Sequence, residues 1–180
     1  SQTTYSAAPE ELQRVAGRYR NLHDNTIEYI TLAEGKLLVD QQVELVPVAP
    51  GQFAFGPTDV RYHVQQTNPL RLRVDTMFGD FLLERVEPYT PTDADLATFA
   101  GEYESRETAS VITIALGEHP GELSYRIGTG LPMTLKPVYP NTFLGPANES
   151  IQFNREADGT VRSFRIGDPR IWDLRFTRLR

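Results

Sequence analysis

A chain of 180 residues with 39% hydrophobic side chains has apolar material for one domain or two small ones, and too much for a disordered segment. Its net charge is −6, with 8 basic against 12 acidic residues up to position 90 and 10 against 12 after it; neither half holds a basic block, which argues against nucleic acid or an anionic membrane as the main partner. There is no cysteine, hence no disulfide, thiolate nucleophile or cysteine-ligated metal, a composition that fits the cytoplasm and a bacterial periplasm equally.

In chain order, residues 1–8 read as a small polar lead-in. No signal peptide is visible and the first residue is Ser1 rather than Met, so either a leader was removed or the chain is a piece of a longer protein. Pro9-Glu10-Glu11-Leu12-Gln13-Arg14-Val15 predicts a short helix, with proline in the first turn and acids near the positive end of the dipole. It runs into Ala16-Gly17-Arg18-Tyr19, where glycine lets the chain turn sharply into a strand. From there the pattern alternates: Val60, Tyr62 and Val64 with Arg61, His63 and Gln65, then Leu70, Leu72 and Val74 with Arg71, Arg73 and Asp75. Period-two alternation marks strands with one buried and one wet face. Glu34-Gly35, Asn68-Pro69 and Gly79-Asp80 supply the turns. The longest uncharged run, Leu45 to Thr58, is too short to span a bilayer as a helix and holds three prolines and two glycines. Glu87-Pro88-Tyr89-Thr90-Pro91 reads as a stiff linker.

The second half repeats the first. Ala100-Gly101-Glu102-Tyr103 returns 84 residues after Ala16-Gly17-Arg18-Tyr19 and is again preceded by a helical stretch, 92–99, in which Thr92 and Asp95 form a near capping box. Gly35-Lys36-Leu37 matches Gly121-Glu122-Leu123, and Leu45-Val46-Pro47-Val48 matches Leu135-Lys136-Pro137-Val138. Phe53 with Gly56-Pro57 matches Phe143 with Gly145-Pro146, and Val60-Arg61-Tyr62 matches Ile151-Gln152-Phe153. The last match is Leu83-Glu84-Arg85-Val86 with Phe176-Thr177-Arg178-Leu179. Asp158-Gly159 between 151–155 and 160–166 is the strongest hairpin signal, Gly167-Asp168-Pro169 marks another turn, and Trp172, Leu174 and Phe176 alternate with polar neighbours. About eight short strands per copy, with no segment long enough for a crossover helix, predict an all-β chain of two tandem antiparallel β-barrels over 9–87 and 92–180, each preceded by a short helix.

These motifs resemble the lipocalin-like C-terminal domains of penicillin-recognising, β-lactamase-like serine hydrolases and D-aminopeptidases. The second copy carries the pattern almost whole, in Leu96, Ala100-Gly101, Tyr103, Leu123, Leu135, Pro137-Val138, Pro140, Phe143, Phe153, Arg155, Gly159, Val161 and Leu174-Arg175-Phe176-Thr177-Arg178-Leu179. The first copy departs in its back half, at Gln65-Gln66-Thr67-Asn68-Pro69. The resemblance implies a bacterial, non-catalytic accessory barrel that packs on or gates a serine hydrolase catalytic domain in the same chain. The catalytic Ser-x-x-Lys of that family is missing: the only lysines, Lys36 and Lys136, have Ala33 and Met133 three residues before them. The alternative is a free-standing lipocalin-like carrier of a small apolar ligand, in the periplasm or outside the cell. A small free-standing enzyme is a third reading.

No residue set points to catalysis, a metal or a cofactor. His63 lies on a wet strand face, and His23 and His119 fall in loop sequences. Ser105, Ser110, Ser124, Ser150 and Ser163 read as strand or turn residues, none in a nucleophile elbow. Glu10/Glu11, Asp93/Asp95 and Glu102/Glu104 read as helix-start charges and strand-face solvation. Gly128-Thr129-Gly130 has no helix after it to bind phosphate and reads as a wide turn continuing into strand at Leu131. The many aromatics favour barrel interiors filled by side chains. Phe78 and Phe81, bracketing a turn centred on Gly79-Asp80, are the candidate docking surface.

Overall fold

The computed structural model describes residues 5–167 and 174–179. The chain divides between Val86 and Glu87 into two compact units, each built on one closed antiparallel barrel. The all-β architecture with a short helix before each barrel is as the sequence implies.

In the first unit, helix α1 (Pro9–Val15) leads into β1 (Gly17–Asn21), β2 (Ile27–Ala33), β3 (Lys36–Val39), β4 (Val43–Ala49), β5 (Gln52–Phe55), β6 (Arg61–Thr67), β7 (Leu70–Thr76) and β8 (Gly79–Val86). Each strand pairs with the next, and β8 closes on β1 with Tyr19 opposite Arg85. Closure leaves no exposed sheet edge. Proline opens α1 and Glu10 and Glu11 sit in its first turn, while Leu12 and Val15 face inward and are buried. The Glu11 carboxylate accepts a hydrogen bond from the Gly51 amide at 2.9 Å, placing the helix at the end where β4 turns into β5.

In the second unit, α2 (Asp93–Ala97) precedes β9 (Gly101–Ser105), β10 (Ser110–Leu116), β11 (Leu123–Ile127), β12 (Met133–Tyr139), β13 (Thr142–Leu144), β14 (Ser150–Arg155), β15 (Val161–Gly167) and β16 (Leu174–Arg178), with β16 closing on β9. Thr92 and Asp95 form a full capping box, and these bonds hold the Asp95 carboxyl below its ordinary pKa. The strand after Gly128-Thr129-Gly130 begins at Met133 rather than Leu131. The segment 87–91 belongs to the second unit, where the Tyr89 ring meets the Phe143 ring edge-on at 6.2 Å. Trp172 and the turn residues Asp168 and Pro169 lie outside the described residues.

Strand registers give the equivalence of the two copies and correct it in one region. Pro47 pairs with Phe53 and Phe53 with Tyr62; Pro137 pairs with Phe143 and Phe143 with Ile151. Tyr62 therefore corresponds to Ile151, not to Phe153. The Val64 amide donates to the Gly51 carbonyl at 2.8 Å, and that of Phe153 to the Asn141 carbonyl at 2.8 Å, so Val64 corresponds to Phe153. Likewise Phe55, whose amide donates to Val60, corresponds to Gly145, whose amide donates to Glu149. The matched sequence blocks were out by two residues at β6 and by one at Gly145.

The cores differ in kind. The first barrel is filled toward its helix by Tyr19, Leu37, Leu45, Phe53, Leu72 and Leu83, each at most 1% exposed. In the second, Phe153 meets Phe99 at 4.6 Å, Phe164 at 5.3 Å, Phe143 at 5.7 Å and Tyr103 at 6.0 Å, and Phe164 stacks on Phe176 at 4.9 Å. Aromatic pairs in such edge-on and stacked arrangements add about 0.5–1.5 kcal/mol each beyond the area they bury.

Candidate functional site

In the first barrel the strand ends away from the helix form an open end, where Glu28, Phe55 and Phe81 are half-buried. It carries the loops 22–26, 40–42, 56–60 and 77–78. Thr76 pairs with Gly79, so the β7–β8 turn is Met77-Phe78, and Gly79, Asp80 and Phe81 already belong to β8. The Thr76 hydroxyl donates to the Gly79 carbonyl at 2.8 Å and accepts from the Phe78 amide at 3.1 Å, fixing the turn. Phe78 is 92% exposed and Met77 88%. Phe81, pairing with Val74, is half-buried and packs on the core. Of the two candidate docking residues, Phe78 thus projects into solvent and Phe81 anchors its hairpin. A groove of about 490 Å³ runs between Leu22-His23 and the segment Phe78–Leu82.

Inside this open end the Tyr62 hydroxyl donates to the Glu28 carboxylate at 2.6 Å. Tyr62 is on β6 and Glu28 on β2, so the bond spans the lumen. Alternation fixes the direction of Glu28: Ile30 is buried in the core, Tyr29 is exposed, and Glu28 shares the face of Ile30. Burial pushes the Glu28 carboxyl above its ordinary pKa; the Tyr62 bond works against that shift and the nearby Asp40 adds to it. Burial and Glu28 together raise the Tyr62 hydroxyl. The Phe55 ring stacks on Tyr62, 5.9 Å apart and tilted 11°. Residue type alone does not single out Glu28, because charged strand residues are ordinarily solvated; its alternation with Ile30 is the signal in the sequence.

The second barrel carries its own Tyr–Glu bond, built from other positions. Tyr125 donates to Glu149 at 2.8 Å, and the same carboxylate accepts from the Ala147 amide at 2.8 Å. Burial and Glu149 raise the Tyr125 hydroxyl. A Cβ built on Gly145 would sit 1.9 Å from the Glu149 carboxylate, so Glu149 occupies room that only glycine leaves free. The registers match Tyr125 with Val39 and Glu149 with Val60, and they match Glu28 with Ile112 and Tyr62 with Ile151. Ile112 and Ile151 are buried core residues.

The other singled-out residues fall on walls and turns. His63 lies 2.9 Å from the Asp75 carboxylate, which also accepts from Arg73 at 2.8 Å. Those partners hold the Asp75 carboxyl below its ordinary value, Arg73 foremost. Glu84 is set between Arg71 at 2.8 Å and Arg20 at 3.1 Å. His23 lies in the β1–β2 loop and His119 in an exposed turn, and no cluster of three or more metal-ligating side chains occurs among the described residues. Ser105, Ser110, Ser124, Ser150 and Ser163 lie on β9, β10, β11, β14 and β15; Ser105, Ser150 and Ser163 are buried. Among the described residues no helix is long and apolar enough to cross a membrane.

Comparison with known proteins gives no family model and no curated protein that matches this chain.

Proposed function

We propose that the chain is a non-catalytic accessory module that docks through the open end of its first barrel onto a partner domain. The partner implied by the sequence resemblance is the catalytic domain of a β-lactamase-like serine hydrolase in the same polypeptide. The observation that carries this reading is the hairpin tip at Met77-Phe78, 88% and 92% exposed and anchored by Phe81. A large aromatic ring held out in water by a rigid hairpin is poised to bury its apolar surface against something else, worth about 1.5–3 kcal/mol once covered.

The carrier reading asks for an empty lumen. The helix-side half of the first lumen is occupied by Tyr19, Phe53 and their aliphatic neighbours, and the second by its aromatic chain, which favours docking over storage of an apolar guest.

The test is the size of the native gene product, by immunoblot of the source organism with antibody to this chain. The expected band is far heavier than 20.3 kDa, with Ser-x-x-Lys in the sequence upstream of this segment. A band at 20.3 kDa overturns docking in cis.

A further inference from the structure

We propose that the open end of the first barrel is a binding site for a small organic ammonium ion, with Glu28, held by the buried Tyr62 hydroxyl, as its counter-charge and Phe55 and Phe81 as its aromatic walls.

The first ground is an inward carboxylate without a cation. Among the described residues the Glu28 side chain has the Tyr62 hydroxyl as its hydrogen-bond partner, and no Lys, Arg or His pairs with it. A carboxylate turned toward a lumen costs free energy unless something compensates it. Tyr62 supplies one donor; a carboxylate accepts several. Asp40 adds negative potential at the same end.

The second ground is an internal control. At the two positions of this pair the second barrel has Ile112 and Ile151, both at most 1% exposed. The fold is satisfied by an apolar pair there, so barrel closure does not require Glu28 and Tyr62. Glu149 differs, since its carboxylate also holds the β13–β14 loop through the Ala147 amide. Glu28 holds no backbone amide with its side chain among the described residues.

The third ground is access. Deep lumen residues are sealed, whereas Asn21, Glu28, Val43, Phe55, Val60 and Phe81, which face inward at the open end, are all half-buried. At the matching position the second barrel replaces Phe55 with Gly145 and fills the room with Glu149. The open end of the first barrel thus sets two half-buried aromatic rings, Phe55 and Phe81, beside the inward Glu28 carboxylate. A cation is drawn to the faces of such rings and to the carboxylate together. An apolar body on the ammonium would cover Phe55 and Phe81.

The test is an NMR titration of the whole chain with benzylammonium, following the side-chain signals of Phe55 and Tyr62, with benzyl alcohol as the neutral isostere. The expected result is saturable binding of benzylammonium, at least about tenfold weaker binding of the alcohol, and at least a tenfold loss in Glu28→Gln. Glu28→Ile, which installs the second copy's residue, checks the fold: it is expected to retain the native circular dichroism and to lose binding. Absence of saturation in the wild-type chain, equal binding of the alcohol, or undiminished binding by folded Glu28→Gln each overturns the proposal.

Discussion

Arg178 on β16 stands 5.8 Å from the centre of the Tyr103 ring on β9, and Arg85 stands 5.7 Å from that of Tyr19 at the same place in the first barrel. Each arginine joins the last strand to the first. Arg85 donates to the Ala16 carbonyl at 2.7 Å and Arg178 to that of Ala100, where the lead-in segment meets the barrel. Each tyrosine donates to the lead-in segment, Tyr19 to the carbonyl of Val15, the last residue of α1, at 2.6 Å and Tyr103 to that of Phe99, just past α2, at 2.8 Å. A Cβ at Gly17 or Gly101 would come within 2.9 Å or 2.8 Å of the arginine Nε, so a larger residue there must displace the guanidinium. Burial pushes the Tyr103 hydroxyl up to about 12, with Arg178 and Arg155 opposing the shift, so it remains a donor at every ordinary pH. Tyr103→Phe is expected to cost about 1 kcal/mol and Arg178→Ala about 2 kcal/mol, read from urea denaturation. Unchanged urea midpoints would show that the bolt is decorative.

Phe153 joins the aromatic chain of the second barrel, touching Phe99, Tyr103, Phe143 and Phe164. Phe153→Ala is expected to destabilise the second unit by about 3–5 kcal/mol. Hydrogen exchange reads it locally: amides of β14 and β15 should lose protection while those of β6 and β7 keep theirs.

Gly145 and Glu149 form a coupled pair. Gly145→Ala is expected to cost about 2 kcal/mol, because its methyl group collides with the Glu149 carboxylate. In a Glu149→Ala background that clash is gone, so a double-mutant cycle should return a coupling of about 2 kcal/mol. Additive costs would mean that the loop relaxes around the methyl group.

Glu28 makes stability depend on pH with a definite sign. Its folded pKa is raised above the ordinary carboxyl value of 4.5, so the protonated form is favoured by folding. That contribution is complete below 4.5 and is lost as pH rises through the raised value. The stability of the wild-type chain relative to Glu28→Gln should therefore fall as pH climbs through this window and then level off. Urea midpoints of both proteins from about pH 4 to about pH 8 measure it, and a flat or rising difference contradicts the buried setting of Glu28.

Much of this was legible in the residues. The returning Ala-Gly-x-Tyr, the two lead-in helices and the Asp158-Gly159 hairpin led directly to two barrels of antiparallel strands. The misplaced match of Tyr62 has a physical cause. A strand shifted by two residues keeps the same faces in and out, so Val60-Arg61-Tyr62 fits Ile151-Gln152-Phe153 as well as the true partner does. The loop before β14 is one residue shorter than the loop before β6, a deletion masked by the longer β14–β15 turn. The Glu28–Tyr62 bond was not legible, because it joins strands on different sides of a closed lumen and no sequence period links them.

The most direct test of the first barrel's open end as the docking end is site-specific photocrosslinking in the source organism. A photoreactive phenylalanine analogue is placed at position 78, and in a second protein at Leu131, which is 87% exposed in the second unit. The expected result is a crosslink from position 78 to peptides of a catalytic domain containing Ser-x-x-Lys, with none from position 131. No such crosslink from position 78, or the same products from both positions, would contradict it.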